Sequence, residues 1–496
     1  MSEAEHHDKQ QKDIAQLAKG GRTNFFGFLL RLVARIPFLI IASRMYGAVP
    51  MGRLASALVM VELAGQVATL GQKRGLAQRL SEETEHPANA VADAMMLSSL
   101  IALVLSLAIY AFPLSMYPNG HFVLADRLLV IAILPSTLTD IALAALAYRF
   151  DVATSVRSRA VVEPWALSIA AGGLYFVYRE GGLSIAYIAS IVAASLVALV
   201  PLLRAYGLPQ HWRPHPRRIW QLAAANAPLA VADAVEWGTR KLDVFVLRFF
   251  VGEAPLGVYY FAQQFASLPQ KLKTSFEPVL GPVITRNIRE KNYGAIARQV
   301  CQVGFWIMAA QAGIALALAM PAKGLMGLGG PDFVGGTGAL VLLLAAEVGA
   351  SMAVVSEAAL VYLARYQNLI ISVATIALQA VLTVAGIMMV NRLGYGQPFA
   401  AAAAAGALML SLGAASLLKS RLLAKLLGEP INNLRWSLMW AVVPALAVGV
   451  VAINFLPEWA SMVLGIPLIL GVYVWLLWHK GFGPEDRVLF RKNVGG

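Results

Sequence analysis

Long apolar stretches recur along nearly the whole chain, and only short polar segments separate them. A helix needs about 20 mainly apolar residues to cross the hydrocarbon core of a bilayer. By that criterion the pattern predicts about fourteen transmembrane helices. They are expected at 25–45, 54–72, 88–112, 124–148, 160–178, 183–203, 228–250, 256–282, 299–320, 337–363, 368–390, 398–418, 436–455 and 459–478. We therefore expect an all-α integral membrane protein.

The composition excludes a soluble globular fold, because the 496 residues are 58% hydrophobic and only 14% charged. A formal net charge of +13 would indicate a nucleic-acid partner in a soluble protein. Here most Lys and Arg residues flank the apolar stretches, which is a topological signal. We therefore expect membrane lipids, and no nucleic acid, as partners. The single cysteine, Cys301, predicts no intramolecular disulfide and no redox chemistry.

The basic residues collect in alternate loops, and the loops between them contain few. Cytoplasmic loops of membrane proteins carry an excess of Lys and Arg. The alternation therefore predicts that both termini face the cytoplasm, in a bacterial inner membrane. Six of the 40 basic residues fall inside predicted spans instead: Arg31, Arg35, Arg240, Lys241, Lys271 and Lys273.

A six-residue turn occurs twice in the chain. The letters GAVPMG at 47–52 match GEAPLG at 252–257 in both glycines and the proline, with an offset of 205 residues. Arg35 and Arg240 share this offset. The repeat predicts a duplicated, pseudo-symmetric protein with two six-helix lobes in the same orientation, as in transporters that bind substrate between two halves.

The predicted organisation follows from the spans and the repeat. It comprises a cytoplasmic N-terminal segment (1–24), an N-lobe (25–203), a cytoplasmic linker (204–227), a C-lobe (228–418), a cytoplasmic loop (419–435), a C-terminal helix pair (436–478) and a cytoplasmic tail (479–496).

The first span contains two arginines on one face. A charge in the hydrocarbon costs several kcal/mol, so such residues normally face the bundle interior or a water-filled cavity. At 1.5 Å per residue, Arg31 lies roughly 9 Å and Arg35 roughly 15 Å into the helix. Both are candidates for a substrate cavity, and Arg35 is the stronger candidate because it lies near the midplane.

The seventh span is acidic on one face, where Asp233, Glu236, Arg240 and Asp243 follow one another at steps of three and four. Two interpretations stay open. The carboxylates form an ionic network, with Arg31 and Arg35 as candidate partners, or they bind a coupling cation such as H⁺ or Na⁺. No other cofactor and no metal centre is expected.

The eighth span adds Lys271 and Lys273, which are two residues apart and therefore point in different directions. Lys273 can pair with Glu277 four residues later. Which lysine faces the cavity stays open. Isolated acids in other spans rank lower, because a single interhelical contact explains each; they are Glu62, Asp93, Asp140, Glu347 and Glu357.

With these features placed, the chain resembles the oligosaccharide flippase family, which handles O-antigen and exopolysaccharide, within the multidrug/oligosaccharidyl-lipid/polysaccharide exporter superfamily. The resemblance covers nearly the whole chain. It rests on short motifs in order: Gly47, Pro50, Gly52, Leu70-Gly71, Pro228, Asp243, Gly257, Tyr259, Ala262, Pro282, Gly329, Phe333, Gly335, Ala364-Arg365 and Gly394-Tyr395-Gly396.

The resemblance implies a flippase, and no enzyme, that moves an undecaprenyl-diphosphate-linked oligosaccharide to the periplasmic leaflet by alternating access. Such a step serves lipopolysaccharide or exopolysaccharide biosynthesis. A cationic cavity would receive the diphosphate, with membrane potential or ion exchange as the energy source. A polysaccharide polymerase and a chain-length regulator are candidate partners. By position, Arg31, Arg35 and Lys271 or Lys273 fit the cavity.

Two alternatives stay open, a multidrug exporter of the same superfamily and, from another class, a membrane enzyme. A multidrug exporter of organic cations would share the helices and the duplication, but it would line its cavity with carboxylates, and the acidic seventh span favours it. A membrane glycan-processing enzyme would need a large external loop or a catalytic segment, and the external connections are short.

Overall fold

The computed structural model describes most of the chain, and all of its regular secondary structure in that part is helical. The described residues are 34–82, 86–272, 277–432, 434–483 and 486–487. Their contacts divide them into two compact units, which fall within Leu30–Tyr260 and Phe261–Gly496. This division lies beyond the predicted linker 204–227. The predicted lobe boundaries stay a prediction.

The first unit contains eight helices and the beginning of a ninth within its described residues. They are α1, described from residue 34 and ending in a π-helical turn at Ala42–Tyr46, α2 (Ala48–Thr69), α3 (Gln72–Ser81), α4 (Pro87–Ala111), α5 (Leu124–Tyr148), α6 (Ala153–Val177), α7 (Gly182–Tyr206), α8 (Pro216–Leu247) and the start of α9 (Glu253–Leu272).

The second unit continues from α9. Its further long helices are α10 (Glu277–Arg289), α11 (Tyr293–Ala319), α12 (Pro331–Leu363), α13 (Arg365–Arg392), α14 (Gln397–Leu427), α15 (Trp436–Phe455) and α16 (Glu458–Gly481). Its core forms around α11, where Phe305 and Trp306 are buried. The Tyr473 hydroxyl donates a hydrogen bond of 2.6 Å to the carbonyl oxygen of Ala309.

Eleven helices in the described part of the chain are long and apolar enough to cross a membrane. They coincide with eleven of the predicted spans. The other three predictions are the charged spans: 25–45 begins outside the described residues, 228–250 lies largely within α8, and 256–282 covers most of α9 and the start of α10. The helical membrane fold class is confirmed.

The helix of the second predicted span, 54–72, is broken near the end of its apolar run, and a further helix follows the break. Leu70 and Gly71 both adopt left-handed backbone conformations, with φ of 45° and 68°. The chain then resumes as the polar helix α3. A Cβ at Gly71 would lie 2.5 Å from the Cβ of Leu229 on α8, so only glycine permits this packing. The break positions Lys73 and Arg74 on the first turn of α3.

Candidate functional site

The two copies of the repeated turn contact each other within the first unit. A Cβ at Gly52 would lie 1.7 Å from the carbonyl oxygen of Glu253, and a Cβ at Gly257 would lie 2.1 Å from the carbonyl oxygen of Ala48. Residues 48 and 253 are separated by the same 205 positions as residues 52 and 257. The contact is therefore reciprocal, as expected for two equivalent elements related by a local two-fold axis.

Helices α2 and α8 run antiparallel and are joined along their length. The guanidinium of Arg248 donates a 3.1 Å hydrogen bond to the carbonyl oxygen of Ser56. Farther along, the Lys241 ammonium lies 3.4 Å from the Glu62 carboxylate. Beyond the break, α3 continues the contact, because Gly75 packs on the side chain of Asn226. The acidic face of α8 is thereby placed against the basic first turn of α3.

A series of ion pairs begins at Arg35. Its Nη2 lies 3.7 Å from the Glu163 carboxylate. Glu163 in turn receives Arg159 at 2.9 Å. Arg159 also binds Asp140 at 2.5 Å, and the other oxygen of Asp140 binds the Lys73 ammonium at 2.7 Å. Four helices, α1, α6, α5 and α3, are joined in this way by alternating charges.

The series continues from the neighbouring residue. Arg74 lies 3.4 Å from Asp233 and 3.2 Å from Glu236, both on α8. Glu236 also pairs with Arg240 at 2.9 Å. Arg35 and Arg240, the two arginines related by the repeat, therefore lie at the two ends of one series. We call it the ion-pair chain: Arg35, Glu163, Arg159, Asp140, Lys73, Arg74, Asp233, Glu236 and Arg240.

Exposure differs along the ion-pair chain. The side chains of Arg35, Arg74 and Glu236 are 41%, 53% and 51% exposed. The carboxylates of Asp140, Glu163 and Asp233 are largely buried. Two guanidinium groups therefore keep accessible surface while largely buried acids hold their positions. Arginine offers several donors in a planar fork that matches phosphate oxygens, so this surface can bind an anionic phosphate group.

The structure describes the predicted site residues unequally. Arg31 and Lys273 lie outside the described residues, and Lys271 is described only in its helical backbone. Arg35, Arg240, Asp233 and Glu236 come together in the ion-pair chain. Asp243 is buried on α8 and accepts a 2.6 Å hydrogen bond from the Tyr259 hydroxyl. The assignment of these residues to substrate or ion binding stays a prediction.

One of the two open interpretations named Arg31 and Arg35 as candidate partners for the acids of α8. Arg35 contacts Glu163 on α6, whereas Asp233 and Glu236 receive Arg74. The physical reason is the break at Leu70-Gly71, which brings α3 against α8.

The isolated acids have basic partners as well. Asp140, which ranked low, bridges two cations. Ion pairs are also described for three of the other acids: Glu62 with Lys241, Asp93 with Arg79 and Arg218, and Glu357 with Lys419.

Sequence reasoning missed Lys73, Arg74, Arg159 and Glu163 as site residues. The predicted spans ended at 72 and began at 160, so three of these residues were assigned to cytoplasmic loops or their edges. One signal was present: Arg159 and Glu163 stand four residues apart, which places both on one helical face. The partners of Lys73 and Arg74 lie on distant helices, and no local pattern reveals them.

A second charged cluster adjoins the contact between the repeated turns. Arg53 lies 3.3 Å from Asp126 and 3.9 Å from Glu253. Ser184 donates a 2.5 Å hydrogen bond to Asp126. Glu253 lies in the turn between predicted spans 228–250 and 256–282. Burial raises its pKa, although Arg53 opposes the shift. We call Arg53, Asp126 and Glu253 the Arg53 cluster.

The described residues contain no group of three or more His, Cys, Asp or Glu side chains that could hold a metal ion.

Solved transporter structures share this fold. The lipid II flippase MurJ in an inward closed conformation aligns with a TM-score of 0.68 at 13% identity, over 92% of this chain and 97% of that one. An inward-facing multidrug resistance MATE family transporter of the MOP superfamily aligns with a TM-score of 0.61 at 14% identity, over 80% and 98%. A MOP superfamily transporter from Pyrococcus furiosus, described as having a binding pocket of reverse polarity, aligns with a TM-score of 0.60 at 12% identity, over 84% and 96%.

At these identities the alignments establish the fold alone, and the chain is a multi-pass membrane protein. No curated protein sequence matches it. A family model described as polysaccharide biosynthesis protein matches residues 23–288, a segment that is more than half of the 496 residues and contains the whole ion-pair chain. The chain therefore belongs to the polysaccharide biosynthesis protein family.

Proposed function

We propose that this protein flips an undecaprenyl-diphosphate-linked oligosaccharide from the cytoplasmic to the periplasmic leaflet of a bacterial inner membrane. The product would enter lipopolysaccharide or exopolysaccharide biosynthesis. Family membership supports a role with polysaccharide. The observation that carries the choice of substrate is the pair of half-exposed arginines, Arg35 and Arg74, on a layer of buried carboxylates.

The diphosphate is the part of this substrate that the ion-pair chain can recognise. It presents several anionic oxygens, and charge-assisted hydrogen bonds from arginine are among the strongest that proteins make. Arg35 is the principal candidate contact, because its ion pair to Glu163 is long at 3.7 Å and Glu163 keeps Arg159 as a second partner. A phosphate oxygen can therefore take Arg35 without leaving Glu163 alone.

Alternating access in this proposal requires a contact that opens and closes. The reciprocal contact of Gly52 and Gly257, together with the Arg53 cluster, is the candidate closure at the external side. Asp233, Glu236 and Asp243 are the candidates for coupling to H⁺ or Na⁺, and the membrane potential is the alternative driving force.

The test is translocation of a fluorescent undecaprenyl-diphosphate oligosaccharide in liposomes, read by quenching of the label in the outer leaflet. We expect Arg35→Ala to abolish flipping while the protein still inserts and folds. Arg44→Ala is the matched control, because Arg44 is an exposed arginine on the same helix. Normal flipping by a well-folded Arg35→Ala protein would remove Arg35 from the site.

The second candidate function is export of organic cations. Two observations favour it: the fold is shared with a MATE transporter, and α8 carries Asp233, Glu236 and Asp243. In this structure, however, Asp233 and Glu236 are neutralised by arginine. Ethidium efflux from the same liposomes tests this function directly.

A further inference from the structure

We propose that Arg74 is a second contact for the diphosphate, that Asp233 positions it, and that Glu236 occupies its Nη2 until the substrate displaces this carboxylate. The inference rests on the proposed function, because it names an additional residue for the same substrate. It concerns a residue that no sequence pattern marks, on the short helix α3 that follows the break at Leu70-Gly71.

The packing of α3 fixes Arg74 in place. Gly71 and Gly75 both pack on α8 closer than a Cβ would allow, against Leu229 and Asn226. Arg74 lies between these glycines on the first turn of α3. The close packing of these two glycines on α8 therefore fixes the backbone of Arg74 relative to α8, and it places the side chain within reach of Asp233 and Glu236.

The guanidinium of Arg74 is the most exposed cation of the ion-pair chain, although it contacts two acids. Its Nε lies 3.4 Å from Asp233 and its Nη2 lies 3.2 Å from Glu236. The side chain is still 53% exposed. By contrast, Lys73 and Arg159 are 29% and 20% exposed and bind Asp140 at short distances. Arg74 is thus the cation that a substrate reaches at least cost to the network.

Glu236 keeps another cation when the Arg74 Nη2 leaves it. Glu236 retains Arg240 at 2.9 Å. Asp233 is largely buried and lies 3.4 Å from the Arg74 Nε. Breaking an ion pair is costly chiefly when it leaves one charge buried and unpaired. Glu236 is not left in that state, and the Arg74 Nε can stay on Asp233 while its Nη2 passes to a diphosphate, so the substrate competes with Glu236.

If the diphosphate exchanges with a carboxylate in this way, substitutions of Arg74 and Glu236 should have opposite effects on diphosphate binding. Removing Arg74 removes a contact and weakens binding. Neutralising Glu236 removes a competitor for Arg74 and strengthens binding. A merely structural ion pair would give weaker or unchanged binding in both cases.

The experiment measures binding of undecaprenyl diphosphate without sugar to the full-length protein in nanodiscs, with inorganic pyrophosphate as a separate probe. We expect Arg74→Ala to bind the lipid about tenfold more weakly, because a charge-assisted hydrogen bond is lost. Glu236→Gln should bind it about threefold more tightly, because one competitor for the guanidinium is gone. Arg79→Ala, on the same helix but paired with Asp93, should bind as wild type.

The outcomes separate the two claims. If the wild type does not bind the lipid, the proposed function is wrong and the inference is wrong with it. If the wild type binds the lipid and Arg74→Ala binds it equally well, the inference alone is overturned. If Glu236→Gln weakens binding as Arg74→Ala does, the carboxylate positions Arg74 and does not compete with the substrate. If the variants rank in the same order of affinity for pyrophosphate as for the lipid, the result supports recognition of the diphosphate itself. If Arg74→Ala leaves the affinity for pyrophosphate unchanged, the result contradicts it.

Discussion

Charged side chains are accommodated inside this bundle because acidic and basic side chains contact each other. Asp140 shows the arrangement most clearly, since one oxygen binds Lys73 and the other binds Arg159. A buried ion pair adds little net stability against an apolar replacement, but removal of one partner is strongly destabilising. Each acid of the ion-pair chain therefore matters chiefly for the cations that it neutralises.

The first prediction concerns Asp140→Ala, which leaves Lys73 and Arg159 facing each other without their shared acid. We expect the free energy of unfolding to fall by about 3 kcal/mol. Thermal unfolding in detergent measures the change. Asp332→Ala is the control, because Asp332 is exposed and surface changes of this kind stay within about 0.5 kcal/mol. Equal stability of the two variants would mean that Asp140 does not stabilise the fold by neutralising Lys73 and Arg159.

The second prediction concerns pH at Glu253, whose pKa is raised by burial beside the contact of the repeated turns, which we propose is the closed state. A state that exposes Glu253 to water returns the pKa to its ordinary value. The closed state therefore binds the proton more tightly. Its advantage is fully present below the ordinary pKa and is lost as pH rises through the raised pKa. Acid should favour closure, and Glu253→Gln should favour closure at every pH.

The measurement uses Ser56→Cys in a Cys301→Ser background, because Ser56 is buried on α2 beside Arg248. Labelling by an impermeant maleimide should slow as pH falls from neutral toward the ordinary pKa of a glutamate side chain. Leu124→Cys, at an exposed position, corrects for the reactivity of the thiol itself. Labelling of Ser56→Cys that accelerates in acid after this correction would reverse the sign of the argument.

Helices meet closely here where glycine removes the side chain. Gly52 and Gly257 bring the two repeated turns together, and Gly71 and Gly75 bring α3 against α8. Small residues let helix backbones approach in membrane proteins, where packing replaces the hydrophobic driving force. The repeated glycines are thus explained by a contact between the repeats, and not only by the turns in which they lie.

The third prediction is that Gly52→Val prevents this contact, because any Cβ would overlap the carbonyl oxygen of Glu253. Overpacking typically costs about 1–3 kcal/mol, and the closed contact should be lost first. We expect faster labelling of Ser56→Cys and slower transport. Gly173→Val is the control, since a Cβ at Gly173 meets no atom within 4 Å. Unchanged labelling in Gly52→Val would show that the turns do not close the path.

The elements could be predicted from sequence because apolar length determines spans. The apolar runs located eleven helices well, and the repeat located the pair of turns that make contact. The contacts of Arg74 could not be predicted. They depend on the two left-handed residues between α2 and α3, which turn α3 toward α8. Arg35 was found by its depth, yet its partner Glu163 was not, since that pairing depends on how α1 packs against α6.

The whole molecule shares its fold with a lipid flippase and with multidrug transporters, so the fold does not choose the substrate. Family membership links it to polysaccharide biosynthesis. Within the first unit, Asp233 and Glu236 of α8 are paired with arginine and Asp243 accepts a hydrogen bond from Tyr259, while Arg35 and Arg74 keep exposed guanidinium groups. This balance of charge favours an anionic substrate.

The most direct test of that claim compares the two substrate classes in one preparation. Liposomes containing the wild-type protein receive either a fluorescent undecaprenyl-diphosphate oligosaccharide or ethidium. We predict that the labelled lipid becomes accessible on the opposite leaflet and that ethidium does not move. Ethidium transport without lipid flipping would contradict the account and identify the protein as a cation exporter.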